Sequence, residues 1–446
     1  MNLSTLEDEL HSKISKRIAR IAICGLGYVG LPLSKLAIRS GFYVYGLDID
    51  ETKTAALRAG RSYIGHIRDI DISAMNATGR FAPTSDFSVV AEADIVVICV
   101  PTPLTPHREP DLSYVTRTAA TIARHTRKGQ LVILESTTYP GTTSQVVWPI
   151  FEQRGCVLGE DIFLAFSPER EDPGNLEFSS SVIPKIVGGE EPASLRLAEA
   201  FYRTLVEAVV TVSSSSTAEA VKLTENIFRA VNIALVNELK VIFSTMNIDI
   251  WEVINAAGTK PFGFMPFYPG PGIGGHCIPV DPFYLTWKAR EYGIDTKFVE
   301  LAGQINSQMP RFVLERLRNA LDARSGKGFN KASILVIGIA YKRNVDDVRE
   351  SPALRLIELL EEHGATVAFH DPFVQRIGRT RDHAALEGRE SQELTPELVR
   401  ASDAVLIATD HDRIDYRLIV DNARLVVDTR NILEKSGLRS DIIVKA

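Results

Sequence analysis

The stretch ARIAICGLGYVG (residues 19–30) decides the fold of the first part of the chain. An apolar run typical of a strand leads into three glycines with G-x-G-x-x-G spacing, a helix-like stretch follows to Gly41, and a second apolar run ends at Asp48. In this context the glycines let a pyrophosphate reach the amino end of the helix, where free N–H groups favour an anion. Asp48 would accept hydrogen bonds from both ribose hydroxyls and would repel a 2′-phosphate, which favours NAD over NADP. The predicted cofactor-binding residues of this stretch are Gly25, Gly27, Tyr28, Val29, Gly30 and Asp48.

Further strands continue the α/β alternation, and three residues stand at strand ends. The apolar runs lie at residues 93–103, 131–137 and 161–170. Because ligands of open parallel sheets bind beyond the carboxyl ends of the strands, Thr102, Thr137 and Glu169 are candidates to face the cofactor or the substrate. For each of them alone, a turn or a helix cap is an equally good explanation. Two more strands, PKIVGG and VVTVSS, close this domain near residue 213.

A long helix is predicted over residues 214–246, where apolar side chains occur on nearly every face. Such a helix is buried on most sides, and it fits a segment that joins two domains and packs in a dimer. A further helix is predicted to end near Gly258, and helical patterns continue through residues 282–325. The segment SGKGFN (residues 325–330) is typical of a hinge.

Three polar residues of the long helix form a predicted stripe. Lys222, Asn226 and Arg229 are spaced i, i+4 and i+7, so they project from one narrow side. Polar groups inside an apolar helix are costly unless they meet a ligand or a partner, which favours a binding site. Ion pairing of the cations with Glu219 or Glu225 is an equally good explanation.

The last part of the chain repeats the pattern of the first. ASILVIGIAYK (residues 332–342) parallels the first strand and its loop, and Asp371 stands near the place of Asp48. The G-x-G-x-x-G spacing is replaced by a loop with Lys342, Arg343 and Arg349, which favours a nucleotide phosphate held by cationic side chains. A solvated charged loop is the alternative, since nearby carboxylates offset the charge. The predicted domains are residues 1–213, 214–325 and 326–446.

A Gly- and Pro-rich stretch, FYPGPGIGGHCIPVDP (residues 267–282), surrounds a single cysteine. Its glycines and prolines exclude regular helix or strand and allow main chain to approach another group closely. Cys277, with His276 before it and Asp281 after it, suggests an activated nucleophile. The alternative is a turn that contains a buried cysteine.

Composition limits the possible classes of protein. The 446 residues carry a net charge of −6 and 45% hydrophobic residues, so two or three globular domains are expected and nucleic acid is an unlikely partner. The first residues lack the apolar region of a signal peptide, and no run reaches the roughly 18 apolar residues that span a membrane. The four cysteines are far apart and form no C-x-x-C pair, which argues against a metal site or disulfides and suits a cytoplasmic protein.

Seven motifs in one order resemble the UDP-glucose/GDP-mannose dehydrogenase family, over about residues 18–440. They are GLGYVG, VPTP, ESTTYPGT, SPEREDPGN, KLTENIFRAVNIALVNE, PGPGIGGHCIPVDP and GIAYKRNVDDVRESP. The resemblance implies two doubly wound Rossmann-like domains joined by a central helical dimerisation domain, in a homodimer or higher homo-oligomer. It also implies a four-electron oxidation of a sugar C6 hydroxyl to a carboxylate with two NAD.

The resemblance assigns roles to the catalytic residues Cys277, Lys222, Asn226, Asp281, Glu169 and Thr137. Cys277 would hold the aldehyde as a thiohemiacetal and then as a thioester, while Lys222 and Asn226 stabilise oxyanions. Asp281 would position or deprotonate water that Thr137 holds, and Glu169 would be the base for hydrolysis. No role follows for His276. The implied substrate-binding residues are Glu169, Arg170, Lys222, Asn226, Arg229, Gly274, Lys342, Arg349 and Arg430, and Thr102, Thr137 and Lys342 are also expected near the cofactor.

Two departures from the UDP-glucose enzymes indicate the sugar. Val280 stands where those enzymes carry a lysine, and REDPGN replaces an F-L-x-E-G-type sequence. Both forms resemble the branch that oxidises UDP-N-acetylhexosamines, with UDP-N-acetylglucosamine as the best match, for bacterial capsule or O-antigen synthesis. UDP-N-acetylmannosamine, UDP-N-acetylgalactosamine and UDP-glucose stay alternatives. A two-electron dehydrogenase of similar layout and a non-catalytic NAD-responsive binding protein are the competing classes.

Overall fold

A computed structural model describes residues 5–65, 67–105, 107–170, 182–275, 278–380 and 382–446. His276 and Cys277, at the centre of the predicted nucleophile loop, lie outside the described residues. The chain forms two compact units, residues 1–225 with 283–294, and residues 226–282 with 295–446.

The described residues form a mixed α/β protein, which confirms the predicted fold class. The strands are β1 (Arg20–Cys24), β2 (Tyr43–Leu47), β3 (Phe81–Thr84), β4 (Ile95–Ile98), β5 (Gln130–Leu134), β6 (Ile162–Phe166), β7 (Lys185–Gly189), β8 (Val209–Val212), β9 (Ser333–Ile337), β10 (Thr366–His370), β11 (Ala404–Ile407), β12 (Val426–Asp428) and β13 (Ile443–Lys445). The helices are α1 (Leu6–Ser15), α2 (Gly30–Arg39), α3 (Glu51–Arg58), α4 (Asp69–Ala77), α5 (Ser113–His125), α6 (Trp148–Glu152), α7 (Pro192–Arg203), α8 (Ser215–Thr245), α9 (Ile250–Ala257), α10 (Asp281–Glu291), α11 (Lys297–Ser325), α12 (Pro352–Glu362), α13 (Pro396–Ala401), α14 (Tyr416–Asn422) and α15 (Ile432–Lys435).

The first unit is built on an eight-stranded sheet in the order β3-β2-β1-β4-β5-β6-β7-β8 among the described residues. Its central strands are continuous apolar runs because helices cover both faces and each face has its own core cluster. The strands predicted from the sequence are confirmed. One feature differs from the expected parallel sheet: β7 pairs with β6 in the antiparallel direction. The amino end of β7 therefore lies at the same sheet edge as the carboxyl ends of β5 and β6.

The second unit contains a five-stranded sheet in the order β10-β9-β11-β12-β13, with every described strand pair parallel. This order matches β2-β1-β4-β5-β6 of the first sheet, which confirms the internal repeat predicted from the sequence. The loops after the first strands also agree. Leu26 N donates to Asp48 Oδ2 at 3.0 Å in the first unit, and Ile339 N donates to Asp371 Oδ2 at 2.7 Å in the second.

The long helix α8 runs from Ser215 to Thr245, which confirms its predicted position. Not all of its apolar side chains are covered within the single chain. Phe228, Leu235 and Ile242 are 49%, 50% and 46% exposed. Because they are spaced by seven residues, they lie on one side of the helix. Among the described residues, none of the helices combines the length and apolar character that crossing a membrane requires.

Candidate active site

The glycines of the β1–α2 loop have different surroundings. Gly25 has a φ of +97°, and a Cβ there would lie 2.5 Å from the carbonyl oxygen of Cys99. A Cβ on Gly30 would lie 1.9 Å from the carbonyl oxygen of Gly25. A Cβ on Gly27 would meet no heavy atom within 4 Å. The fold therefore requires glycine at the first and third positions, whereas the second keeps a space open beside the amino end of α2, where a pyrophosphate fits.

Asp48 lies directly after β2, as a ribose-binding carboxylate requires. It is buried, and its Oδ2 atom accepts hydrogen bonds from Leu26 N and, at 3.3 Å, from Lys53 Nζ. Its Oδ1 atom accepts from Asp50 N at 3.0 Å. These contacts fix the carboxylate at the strand end. Together with the open space at Gly27, they fit a dinucleotide on this edge of the sheet.

Two other predicted strand-end residues lie at the same edge. The carbonyl oxygen of Thr102 accepts a hydrogen bond from the hydroxyl of Tyr284 on α10. Thr137 is half-buried and follows β5 by three residues. Both are thus at the edge where parallel strands place their ligands.

Glu169 and Lys222 lie together in the first unit. Lys222 Nζ donates to the main-chain oxygen of Glu169 at 2.5 Å. The Glu169 carboxylate accepts from Arg170 N at 2.7 Å and from Lys185 Nζ at 3.0 Å. Lys222 is buried, and its contact with Glu169 joins α8 to the end of β6.

The two glutamates that could have paired with Lys222 have other partners. Glu225 accepts from Arg170 Nη2 at 2.6 Å. Glu219 accepts from Gly141 N at 2.6 Å and Thr143 N at 2.9 Å, and burial raises its pKa to about 7. Glu219 thereby fixes the loop that follows Thr137. The ion pairs expected under the alternative explanation are not the contacts these glutamates make.

Asn226 and Asp281 form a second buried pair, in the second unit. Asn226 Nδ2 donates to Asp281 Oδ2 at 2.5 Å, and both side chains are buried. Asp281 is the first residue of α10. Arg229 differs from the other two residues of the predicted stripe because it is exposed. The stripe is therefore buried at Lys222 and Asn226 and open at Arg229.

The glycine-rich stretch before Cys277 packs closely on its surroundings in the second unit. Gly270 N donates to Asn237 Oδ1 at 3.0 Å, and Gly275 N donates to Arg349 O at 3.1 Å. A Cβ on Gly274 would lie 2.7 Å from Tyr341 Cβ. The close approach predicted for these glycines is thus made in part to the chain itself, on the loop that follows β9.

The cationic residues of the C-terminal part are partly neutralised. Arg343 pairs with Asp410 and Asp412, and Arg349 Nε donates to Asp347 Oδ1 at 2.9 Å. Lys342 is half-buried. Arg430 Nε donates to Ala408 O at 3.1 Å, and burial lowers the pKa of its guanidinium. Asp347 thus offsets Arg349 as the solvated-loop explanation expects, while Lys342 and Arg430 stay candidates to contact a nucleotide.

The predicted site residues do not include Lys185 and Glu135. Lys185 contacts Glu169, and Glu135 contacts Lys185. Lys185 begins an apolar strand and Glu135 follows one, so a charge at each strand end was the available signal. Their proximity depends on the antiparallel direction of β7, which residue patterns do not reveal. Among the described residues, no group of three potential ligands could hold a metal ion.

Sequence models of three domains match the chain in order. The NAD-binding domain of the UDP-glucose/GDP-mannose dehydrogenase family matches residues 19–206, its central domain 216–308 and its UDP-binding domain 335–435. The chain belongs to this family. It is an NAD-dependent nucleotide-sugar dehydrogenase.

Known members of the family resemble the chain over most of its length. It is 35% identical over 425 residues to the UDP-N-acetyl-D-mannosamine dehydrogenase of Pyrococcus horikoshii, covering 93% of this chain and 96% of that protein. It is 36% identical over 357 residues to the UDP-N-acetyl-D-glucosamine 6-dehydrogenase of Pseudomonas aeruginosa, covering 80% and 83%. The solved structure of a UDP-D-ManNAc dehydrogenase from Pyrococcus horikoshii superposes with a TM-score of 0.86 at 33% identity and covers 96% of this chain and 98% of that one.

Proposed function

We propose that this dehydrogenase oxidises the C6 hydroxyl of a UDP-N-acetylhexosamine to the uronic acid in a four-electron reaction, with UDP-N-acetylglucosamine as the first candidate substrate. The observation that carries the proposal is the burial of two polar pairs, Lys222 with Glu169 and Asn226 with Asp281. In each pair, a donor that can stabilise an oxyanion is bonded to a residue whose carboxylate can position or deprotonate water. The hydrogen bonds of these groups only offset the cost of removing them from water, which supports a role beyond stability.

We infer that the first unit supplies most of the cofactor site. NAD, when bound, accepts one hydride in each of the two oxidations. We assign its pyrophosphate to the β1–α2 loop and its ribose to Asp48, in agreement with the space beside Gly27. The proposed cofactor-binding residues are Gly25, Gly27, Tyr28, Val29, Gly30, Asp48, Thr102, Thr137 and Lys342.

The chemistry assigns the covalent step to Cys277. Its thiolate adds to the C6 aldehyde, forming a C–S bond and an oxyanion that Lys222 and Asn226 stabilise. Loss of the second hydride gives a thioester. Water held by Thr137 and Asp281 then attacks the carbonyl carbon, the C–S bond breaks, and Glu169 accepts the proton from the water.

The proposed sugar-nucleotide contacts come from Arg170, Arg229, Gly274, Lys342, Arg349 and Arg430, in addition to the catalytic residues. Val280 favours a substrate that needs no cation beside the sugar. A sugar with an acetamido group is such a substrate. The resemblance of the HCIPVDP and SPEREDPGN motifs favours UDP-N-acetylglucosamine. UDP-N-acetylmannosamine is the second candidate because a relative of similar identity carries that name.

We also propose a homodimer or higher homo-oligomer that works in the cytoplasm, in the synthesis of a bacterial surface polysaccharide such as capsule or O-antigen. The half-exposed apolar residues Phe228, Leu235 and Ile242 support association through α8. The domain division at residues 1–213, 214–325 and 326–446 is part of this proposal.

NADH stoichiometry tests the reaction. The full chain is given UDP-N-acetylglucosamine, UDP-N-acetylmannosamine, UDP-N-acetylgalactosamine and UDP-glucose in parallel, and NADH and uronic acid are counted. We expect two NADH per sugar, with the highest kcat/KM for UDP-N-acetylglucosamine. Activity with UDP-glucose alone would reject the substrate assignment, and one NADH per sugar would reject the mechanism.

The variant Cys277→Ser separates the competing classes of protein. A four-electron enzyme that uses this thiol loses uronic acid formation, because the serine hydroxyl is a far weaker nucleophile. A two-electron dehydrogenase keeps its rate. A non-catalytic binding protein produces no NADH from either form of the chain.

A further inference from the structure

A buried charged cluster lies behind Glu169 in the first unit. Lys185 Nζ is 3.0 Å from Glu169 Oε2 and 3.2 Å from Glu135 Oε1. The hydroxyl of Tyr202 donates to the same oxygen of Glu135, and the ammonium lies 5.3 Å from the Tyr202 ring centroid. Glu135, Lys185 and Tyr202 are 1%, 7% and 1% exposed. Solvent therefore screens these interactions little.

The sheet brings these residues together through the direction of β7. In the antiparallel register Phe166 faces Gly188, and continuing it by three residues brings Glu169 opposite Lys185. Glu135 follows the last residue of β5, the strand on the other side of β6. Tyr202 comes from α7, which packs against this part of the sheet.

The charges of the cluster do not balance. Two carboxylates share one ammonium, and the second oxygen of Glu135, Oε2, has no hydrogen-bond partner among the described residues. Burial raises the pKa of Glu135, and the two carboxylates raise the pKa of Lys185 in spite of its burial. The Lys185 ammonium therefore stays charged and is shared between the buried carboxylate of Glu135 and the carboxylate of Glu169 at the candidate site.

We propose that Lys185 and Glu135 are positioning residues, which hold the Glu169 carboxylate in place and set how strongly it binds a proton. This rests on the proposed function, in which Glu169 accepts the proton of the attacking water. An ammonium given wholly to Glu169 would make it a weak base, whereas an ammonium shared with Glu135 leaves it basic enough to act.

Other charged and titratable groups lie around Glu169 and Glu135. They are Lys222 on α8, which binds the Glu169 main chain, Arg170, which is neutralised by Glu225, Tyr202 on α7, and the buried thiol of Cys99 after β4. Burial raises the pKa of the Cys99 thiol and that of the Tyr202 hydroxyl, so both are neutral. The balance between Lys185 and Glu135 is therefore the part that a single substitution can change.

The test follows hydrolysis of the acyl-enzyme on Cys277 in the full chain against pH, by rapid quench and intact-protein mass spectrometry. The acidic limb of the rate profile is the pH range in which protonation of Glu169 slows hydrolysis. Glu135→Gln removes a negative charge near Glu169 and leaves Glu169 as the only carboxylate paired with the ammonium, so the limb moves to lower pH by about one unit. In Lys185→Met the limb moves to higher pH by a similar amount, because the ammonium that favours the charged carboxylate is gone. Lys185→Arg keeps the positive charge, so its limb lies within a few tenths of a pH unit of that of the unsubstituted protein.

The controls separate this inference from the function on which it rests. Glu92→Gln removes an exposed glutamate that pairs with Arg20 at 2.7 Å, and its limb stays where it was. Glu169→Gln abolishes the limb and slows hydrolysis if Glu169 is the base. A retained limb in Glu169→Gln rejects the proposed role of Glu169.

With that role intact, a limb that fails to move down in Glu135→Gln rejects the positioning role. Glu135→Gln decides alone if Lys185→Met does not fold, because the glutamine has almost the same size. A purely structural role would lower the rate without moving the limb in opposite directions in the two variants.

Discussion

Lys240 is a buried cation in the second unit, and no carboxylate of the described residues contacts it directly. Its Nζ atom has no hydrogen-bond partner among the described residues and lies 5.3 Å and 5.7 Å from the ring centroids of Trp251 and Phe312. Burial, with a contribution from Arg430, lowers its pKa to about 7. The two rings recover part of the lost hydration by cation–π attraction. The ammonium nevertheless costs the fold stability near neutral pH.

This residue makes the stability of the chain depend on pH. An unfolded lysine keeps its proton up to about pH 10.4, whereas folded Lys240 loses it near 7, so the unfolded state binds more protons between these values. Stability therefore rises with pH across this range. We expect Lys240→Met to remove that rise and to stabilise the chain at about pH 6 by roughly 2 kcal/mol more than at about pH 9.

Urea unfolding at the two pH values measures the effect. Lys260→Met is the matched control, since Lys260 is an exposed lysine of the same unit. It should change stability equally at both values. An equal gain for Lys240→Met at both pH values would show that the ammonium is not buried as described.

At the scale of one element, the β1–α2 loop separates what glycine does for folding from what it does for binding. Gly30 is enclosed by the main chain of Gly25, whereas Gly27 faces open space. The first requirement is internal packing, and the second concerns a ligand. The same spacing of residues thus carries two different constraints.

Alanine substitutions distinguish these constraints. Gly30→Ala forces a Cβ onto a carbonyl oxygen, so we expect a loss of about 1–3 kcal/mol in the free energy of unfolding. Gly27→Ala should leave the melting temperature unchanged and weaken NAD binding at least about tenfold, a cost of roughly 1.4 kcal/mol. Thermal melts and NAD titration measure both. Unchanged NAD affinity in a folded Gly27→Ala chain would place the pyrophosphate elsewhere.

At the scale of the whole molecule, the apolar side of α8 predicts association between copies of the chain. Leu235 is the central residue of this side and is half-exposed in the single chain. We expect Leu235→Glu to lower the molar mass measured by light scattering from that of an oligomer to that of one chain of 49.2 kDa, because a carboxylate cannot be buried there unpaired. Glu397→Gln, at an exposed position on α13, should leave the oligomer intact. An unchanged oligomer in Leu235→Glu would exclude α8 from the interface.

Much of the fold follows from local patterns. Three features were predictable from local sequence patterns, because each depends on near neighbours or on periodicity. They are the glycine spacing with Asp48, the repeat around Asp371 and the length of α8. For Lys222 and Glu169, the sequence predicted only that both residues belong to one site. Their atomic contact, to a main-chain oxygen, was not predictable.

What the sequence could not give depends on contacts distant along the chain. Lys185 meets Glu169 because β7 runs against β6, and strand direction leaves no trace in a run such as KIVGG. Arg229 is exposed although its helical spacing matches that of buried Asn226, because neighbouring elements decide which side of a helix is covered. Lys240 is buried among aromatic rings for the same reason.

The composition of the first unit has a consequence for synthesis of the protein. Its last strand ends at Val212, yet residues 283–294 also belong to it. Within them, Tyr284 bonds to the main chain of Thr102 and Lys288 Nζ to Gln145 Oε1 at 2.9 Å. During synthesis, residues 226–282 of the other unit emerge before residues 283–294, so the first unit is complete only after both segments have left the ribosome. A nascent chain halted at residue 213 would present an incomplete surface, which chaperones recognise.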